Sequence, residues 1–116
     1  MTSDKKLGHK APGLLRQALS SRTVIADGAM GTMLQAADPT LEDFQNHEGC
    51  NEILNVSRPD IVRSVHNEYL AAGVDAVEAN TFGANWSNLA DYGIEDRIYE
   101  LAFAGGKIAR DAADSF

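Results

Sequence analysis

Cysteine is nearly absent: Cys50 is the only one in 116 residues. No disulfide can close within the chain, and a thiolate cage for structural zinc cannot be assembled from it. Positive charge is scarce too, with 10 Lys and Arg against 17 Asp and Glu and a net charge of −7. Nucleic-acid binders present a basic face, so nucleic acid is not expected as a partner. No apolar run approaches the roughly 20 residues of a membrane span. The opening Met1-Thr-Ser-Asp-Lys-Lys-Leu-Gly-His-Lys10 also lacks the apolar centre of a secretory signal. These lacks predict a cytoplasmic chain with no membrane partner, and residues 1–11 read as a disordered tail.

What is present is an alternation of apolar runs and helical periods. Pro12 opens a predicted helix with Leu14, Leu15, Ala18 and Leu19 as its apolar stripe, ended by Ser20 to Arg22. Thr23–Ala26 predicts a strand apolar throughout, and so buried on both faces as in a parallel sheet. Asp27–Gly31 turns the chain, and Thr32–Ala37 suits one or two helical turns. Residues 38–56 predict a long polar loop, a length usual for lids and binding loops. Ser57 reads as an N-cap with Pro59 just inside the next helix. Ile61, Val62, Val65, Tyr69 and Leu70 then repeat at helical spacing up to a C′ glycine, Gly73. Val74–Ala79 predicts a second strand, followed by a connection in which Trp86 and Leu89 pack inward. A last helix runs from about Glu95 to the end, weakened at Gly105-Gly106 by about 1 kcal/mol per glycine.

Strands alternating with helices imply an α/β fold with parallel pairing through right-handed crossovers. Two strands are too few for a covered parallel sheet. The expectation is therefore part of a larger α/β unit or a chain completed by others, with an open strand edge that destabilises it when alone.

Asp27 and Glu78 stand at or near the C-terminal ends of the two predicted strands. Side by side they can hold a ligand ammonium, while the N–H groups of Gly28, Ala29, Met30 and Gly31 can cradle a carboxylate. Together these recognise an α-amino acid. The plainer alternative is that Asp27 caps the next helical turn and the glycines only make a turn. Asn80 and Thr81 can bond a ligand or close their own turn. Cys50 has no base at a useful spacing and reads as an inert thiol. His66 falls between core positions as a packed or surface residue, and His47 is uninformative. Glu42, Asp43, Glu48 and Glu52 read as a solvated loop.

Five stretches occur here in the order they hold in one family: Asp27-Gly-Ala-Met-Gly-Thr-Met-Leu-Gln35, Asn51-Glu-Ile-Leu-Asn-Val-Ser-Arg-Pro-Asp-Ile61, His66-Asn-Glu-Tyr-Leu-Ala-Ala-Gly-Val-Asp75, Glu78-Ala-Asn-Thr-Phe82 and Ala90-Asp-Tyr-Gly-Ile-Glu-Asp96. Over residues 14–116 the chain resembles the N-terminal part of the homocysteine-binding module of cobalamin-dependent methionine synthases. The resemblance implies a (β/α)8 TIM barrel, of which residues 12–116 supply an N-terminal helix and the first two βα units. It implies L-homocysteine as substrate, bound by Asp27, Gly28, Ala29, Met30, Gly31, Thr32, Glu78, Asn80 and Thr81. It also implies a zinc-bound homocysteine thiolate methylated from methylcobalamin, with methyltetrahydrofolate recharging the cobalamin.

The family's three zinc cysteines come from late barrel strands, and Cys50 matches none of them. No catalytic residue, metal or cofactor is thus expected on this chain alone, which should be inactive. The remaining barrel and the folate and cobalamin modules would be its partners in the full-length protein. Relatives usually carry Thr at the position of Ala79, a loss of about 0.5–1.5 kcal/mol if that hydroxyl bonds substrate. Two alternatives remain: a non-catalytic homocysteine-binding or regulatory module, and part of a zinc-dependent homocysteine methyltransferase using another methyl donor.

Overall fold

The computed structural model describes residues 4–116, with side-chain surroundings from residue 13 onward. Six α-helices follow in order: α1 (Asp4–Ser21), α2 (Met30–Ala36), α3 (Leu54–Ser57), α4 (Pro59–Ala72), α5 (Trp86–Ala90) and α6 (Ile98–Asp114). Short 3₁₀ turns precede α3 at Asn51–Ile53 and α6 at Glu95–Arg97. Helix α1 begins ahead of the start predicted at Pro12. Of the expected 1–11 tail, residues 1–3 lie outside the described residues. The Ser20 hydroxyl donates to the Gln17 carbonyl at 2.7 Å where α1 ends, and the last ladder bond runs from Arg22 N to the Ala18 carbonyl at 2.9 Å.

The two predicted strands are not strands. Among the described residues the β-structure is one isolated parallel bridge, Ala26 to Ala76. Its bonds run from Asp75 N to Ile25 O at 2.8 Å, Ala76 N to Ile25 O at 3.2 Å and Asp27 N to Ala76 O at 3.1 Å. Beyond these, carboxylates take over as acceptors. Asp75 Oδ2 accepts from Ile25 N at 3.0 Å, and Asp27 Oδ1 accepts from Glu78 N at 3.0 Å. Side chains thus stop the ladder at both ends. The runs are parallel and adjacent, as the alternation requires, but too short to count as a sheet.

Burial differs accordingly. Ile25 is 56% exposed rather than covered on both faces, because the core lies between helices. One cluster joins Leu34, Leu54, Ile61, Val62 and Val65; a second joins Cys50, Ile53, Leu89, Ile94 and Leu101. Of the expected α4 stripe, Ile61, Val62 and Val65 are core and Tyr69 packs against them, and Leu89 packs inward. Trp86 does not: it is 65% exposed at the first residue of α5.

Two local expectations also change. The polar loop is shorter than residues 38–56, since a 3₁₀ turn and α3 occupy its end. Ser57 is the last residue of α3 and does not cap α4; its hydroxyl is spent on the Asp43 and Ile53 carbonyls. Arg58 is the N-cap, with Pro59 at the first helical position as expected. Its guanidinium grips Asp60 with two bonds and reaches Asp43. At the other end Gly73 adopts φ 103°, a left-handed conformation open to glycine, and turns the chain into the second run.

Candidate functional site

The paired runs deliver two loops to one place. Asp27, Gly28, Ala29 and Met30 from the first, with Glu78, Ala79, Asn80 and Phe82 from the second, line a cleft of about 140 Å³. The link between them is the Asp27 carboxylate. Its Oδ1 holds the Glu78 backbone N–H, so Asp27 is both a wall of the cleft and the tie that closes it.

The first loop carries strain where the cleft needs it. Ala29 sits at φ 45°, ψ 40°, left-handed for a residue with a Cβ and the N-cap of α2. Such a residue costs on the order of 1 kcal/mol, and persists where the surroundings impose it. The amides of Gly28, Ala29, Met30, Gly31 and Thr32 donate to no protein acceptor among the described residues. A run of free N–H groups around a left-handed residue is a concavity suited to an anion.

The second loop is locked from behind. Asn55 Nδ2 donates to the Asn80 carbonyl at 2.9 Å and to the Leu101 carbonyl at 3.0 Å. Asn80 Nδ2 donates to Asn55 Oδ1 at 2.9 Å and to the Asn51 carbonyl at 3.0 Å. Further along, the buried Glu52 carboxylate accepts from Gly83 N at 2.9 Å. The backbone comes so close that a Cβ on Gly83 would lie 2.5 Å from Asn88 Nδ2 and 2.8 Å from Glu52 Oε2. Glu52 is therefore an anchor in the interior and not part of a solvated loop.

Six of the nine residues expected to bind substrate meet in this cleft: Asp27, Gly28, Ala29, Met30, Glu78 and Asn80. Gly31 and Thr32 stand in α2 outside its lining. Thr81 turns away, with its methyl 2.8 Å from where a Cβ on Gly105 would sit. Phe82, 98% exposed, forms an apolar rim. The anchors Asn51, Glu52, Asn55, Gly83 and Gly105 escaped the sequence reading. The spacing of Asn51 and Asn55, one helical turn apart around apolar Ile53 and Leu54, was the available signal.

The remaining titratable groups stand apart from the cleft lining. Cys50 is buried, and its thiol is pushed up by burial and by the nearby Glu52 carboxylate, which keeps it protonated. His47 packs edge-on against Tyr92 with ring centres 5.9 Å apart. His66 is fully buried with neither ring nitrogen hydrogen-bonded among the described residues. Burial lowers its pKa, partly countered by the charge of Asp27. Among the described residues no three His, Cys, Asp or Glu side chains group to hold a metal ion. No described helix is long and apolar enough to cross a membrane.

Two carboxylates and a row of free amides thus share one small cleft, on adjacent parallel segments each followed by a helix. The chain belongs to the homocysteine S-methyltransferase family, whose sequence model matches residues 24–116. It is 59% identical over 100 residues to methionine synthase from Mycobacterium tuberculosis, and 54% identical over 100 residues to that from Mycobacterium leprae. Each match covers 86% of this chain and 8% of the relative. The chain thus spans about one-twelfth of the length of these relatives. The crystal structure of the homocysteine methyltransferase MmuM from Escherichia coli, in its metallated form, superposes with a TM-score of 0.67 at 26% identity. That match covers 87% of this chain and 34% of the other.

Proposed function

We propose that the cleft binds the amino-acid end of L-homocysteine, within a protein that methylates the homocysteine sulfur to give methionine. Asp27 and Glu78 take the ammonium; the amides of Gly28 to Met30 take the carboxylate. The observation that carries this is the convergence itself. Residues some fifty positions apart bring carboxylates and free amides to one small cleft, with the Asp27 tie holding the two walls together. The identity gradient, 59% and 54% to methionine synthases against 26% to the Escherichia coli enzyme, supports the methionine synthase branch.

In this reading residues 12–116 are the N-terminal helix and first two βα units of a (β/α)8 barrel, and the bridge at Ala26 and Ala76 is the seed of its first strand pair. The whole protein uses methylcobalamin recharged by methyltetrahydrofolate, and it works in the cytoplasm, where a thiol substrate stays reduced. The described side chains do not fit a zinc site: Cys50 is sealed in the core, and no cluster of donors stands in the cleft. Activation of the thiol therefore belongs to other parts of the protein, and this chain's task is to bind and orient. A neutral thiol held by its amino-acid end is aimed outward over the apolar Phe82 and Ala79.

Calorimetric titration of the protein as its organism makes it tests the assignment. Homocysteine binds, and Asp27→Asn weakens it at least tenfold, since a charge-assisted bond is worth about 1.5–3 kcal/mol. Absence of heat up to millimolar homocysteine refutes the reading.

A further inference from the structure

Resting on that reading of the cleft, we propose that Asn55 is a positioning residue that sets the polarity of Asn80, so that Asn80 offers Oδ1 to the ligand ammonium.

The orientations of both amides follow from their partners. The Asn55 atom facing the Asn80 and Leu101 carbonyls faces two pure acceptors, so it is the NH₂ group. Asn55 Oδ1 is then the atom turned to the Asn80 side chain. It carries no hydrogen, so Asn80 meets it with Nδ2, and the same Nδ2 meets the Asn51 carbonyl. Both Asn80 amide protons are consumed. A flipped Asn80 would set its oxygen against two other oxygens, which fixes an assignment that is otherwise a free choice.

What is left over is Asn80 Oδ1. Asn80 is 5% exposed and lines the cleft beside Asp27 and Glu78. Its Oδ1 accepts no bond among the described residues, yet it is not one of the sealed orphans, which are the His66 ring nitrogens and Glu95 Oε1. We take the cleft that Asn80 lines as the space it opens to. Two carboxylates and one amide oxygen match the three N–H donors of a primary ammonium. The preference for a cation is therefore enforced from behind, by a residue that need not touch the ligand.

Asn55→Ala removes one of the two oxygens that hold the Asn80 amide, so that only the Asn51 carbonyl still orients it. The test titrates the protein as its organism makes it with L-homocysteine and with 4-sulfanylbutanoate, the same skeleton without the amine. Homocysteine weakens about tenfold in the variant, the cost of one bond to a charged group, while the amine-free ligand is unaffected. Asn80→Ser gives the same selective loss and keeps the bond from Asn55 to Leu101, so it serves if Asn55→Ala does not fold. In the Asn80→Ser background, Asn55→Ala produces no further loss. Equal weakening of both ligands, or full additivity of the two substitutions, overturns the proposal and leaves the amino-acid site standing. Failure of the unmutated protein to bind homocysteine removes the site itself, and the proposal with it.

Discussion

Adjacent glycines of α6 should respond to alanine with opposite signs. In a helix interior Gly→Ala gains about 1 kcal/mol from propensity alone. At Gly106 a Cβ meets nothing within 4 Å, so Gly106→Ala stabilises by about 0.5–1 kcal/mol. At Gly105 the same atom would lie 2.7 Å from Asn55 Nδ2, 2.8 Å from Thr81 Cγ2 and 3.1 Å from the Asn80 carbonyl oxygen. Real Cβ atoms do not approach this closely, so something has to move. Asn55 cannot withdraw without giving up the Asn80 and Leu101 carbonyls. Each such bond contributes about 1 kcal/mol, and leaving buried acceptors bare adds about 1–3 kcal/mol. Overpacking costs of about 1–3 kcal/mol point the same way. Set against the propensity gain, Gly105→Ala should destabilise by about 2 kcal/mol. Calorimetric scans of both variants, introduced into the protein as its organism makes it, would show one transition rising and the other falling. If Gly105→Ala rises with Gly106→Ala, the close approach of α6 to the Asn55–Asn80 pair is wrong.

His66 predicts a pH dependence. Burial lowers its folded pKa, while an unfolded histidine titrates near 6.5. As pH falls below about 6.5 the unfolded chain takes up a proton that the fold resists, so stability declines from there down to the folded pKa. The charges acting on the ring are Asp27, which raises its pKa, and Arg63, which lowers it. His66→Leu removes two unpartnered buried nitrogens, so it should leave stability unchanged or raised at pH 8 and flatten the decline between pH 6.5 and 5. An unaltered slope in urea midpoints across that range would refute this. The 116-residue chain alone should melt without a sharp transition and self-associate. Beside Val77 and Ala79 runs an open groove of about 660 Å³ walled by Leu15, Ala109 and Ala113, and Ile25 is exposed nearby. A cooperative melt from a clean monomer would contradict that expectation.

Legibility in the sequence tracked how local each determinant is. The helix at Pro59–Ala72 was readable because its period, its first-turn proline and Gly73 act within a few residues of one another. The cleft residues Asp27 to Met30 and Glu78 were readable because two apolar runs each end in an acid. The strands themselves were overread. Apolar runs argue for burial in a sheet, but a ladder needs neighbours, and here Asp75 and Asp27 cap the single bridge with their carboxylates. Trp86 was overread in the same way, as an aromatic assumed to pack.

The anchors were illegible for a different reason. Nothing near Gly105 in sequence says that Asn55 lies against it, and nothing near Glu52 says that Gly83 donates to it; these are contacts across 50 and 31 residues. In sequence they look like a weak point in a helix and an acid in a loop. In the fold they are the reason the second wall of the cleft holds its shape. The wall that could be read carries the charge, and the contacts that could not be read fix which way the Asn80 amide faces. A substitution at Asn55 or Gly105 should therefore change ligand preference while every residue of the cleft lining is left intact.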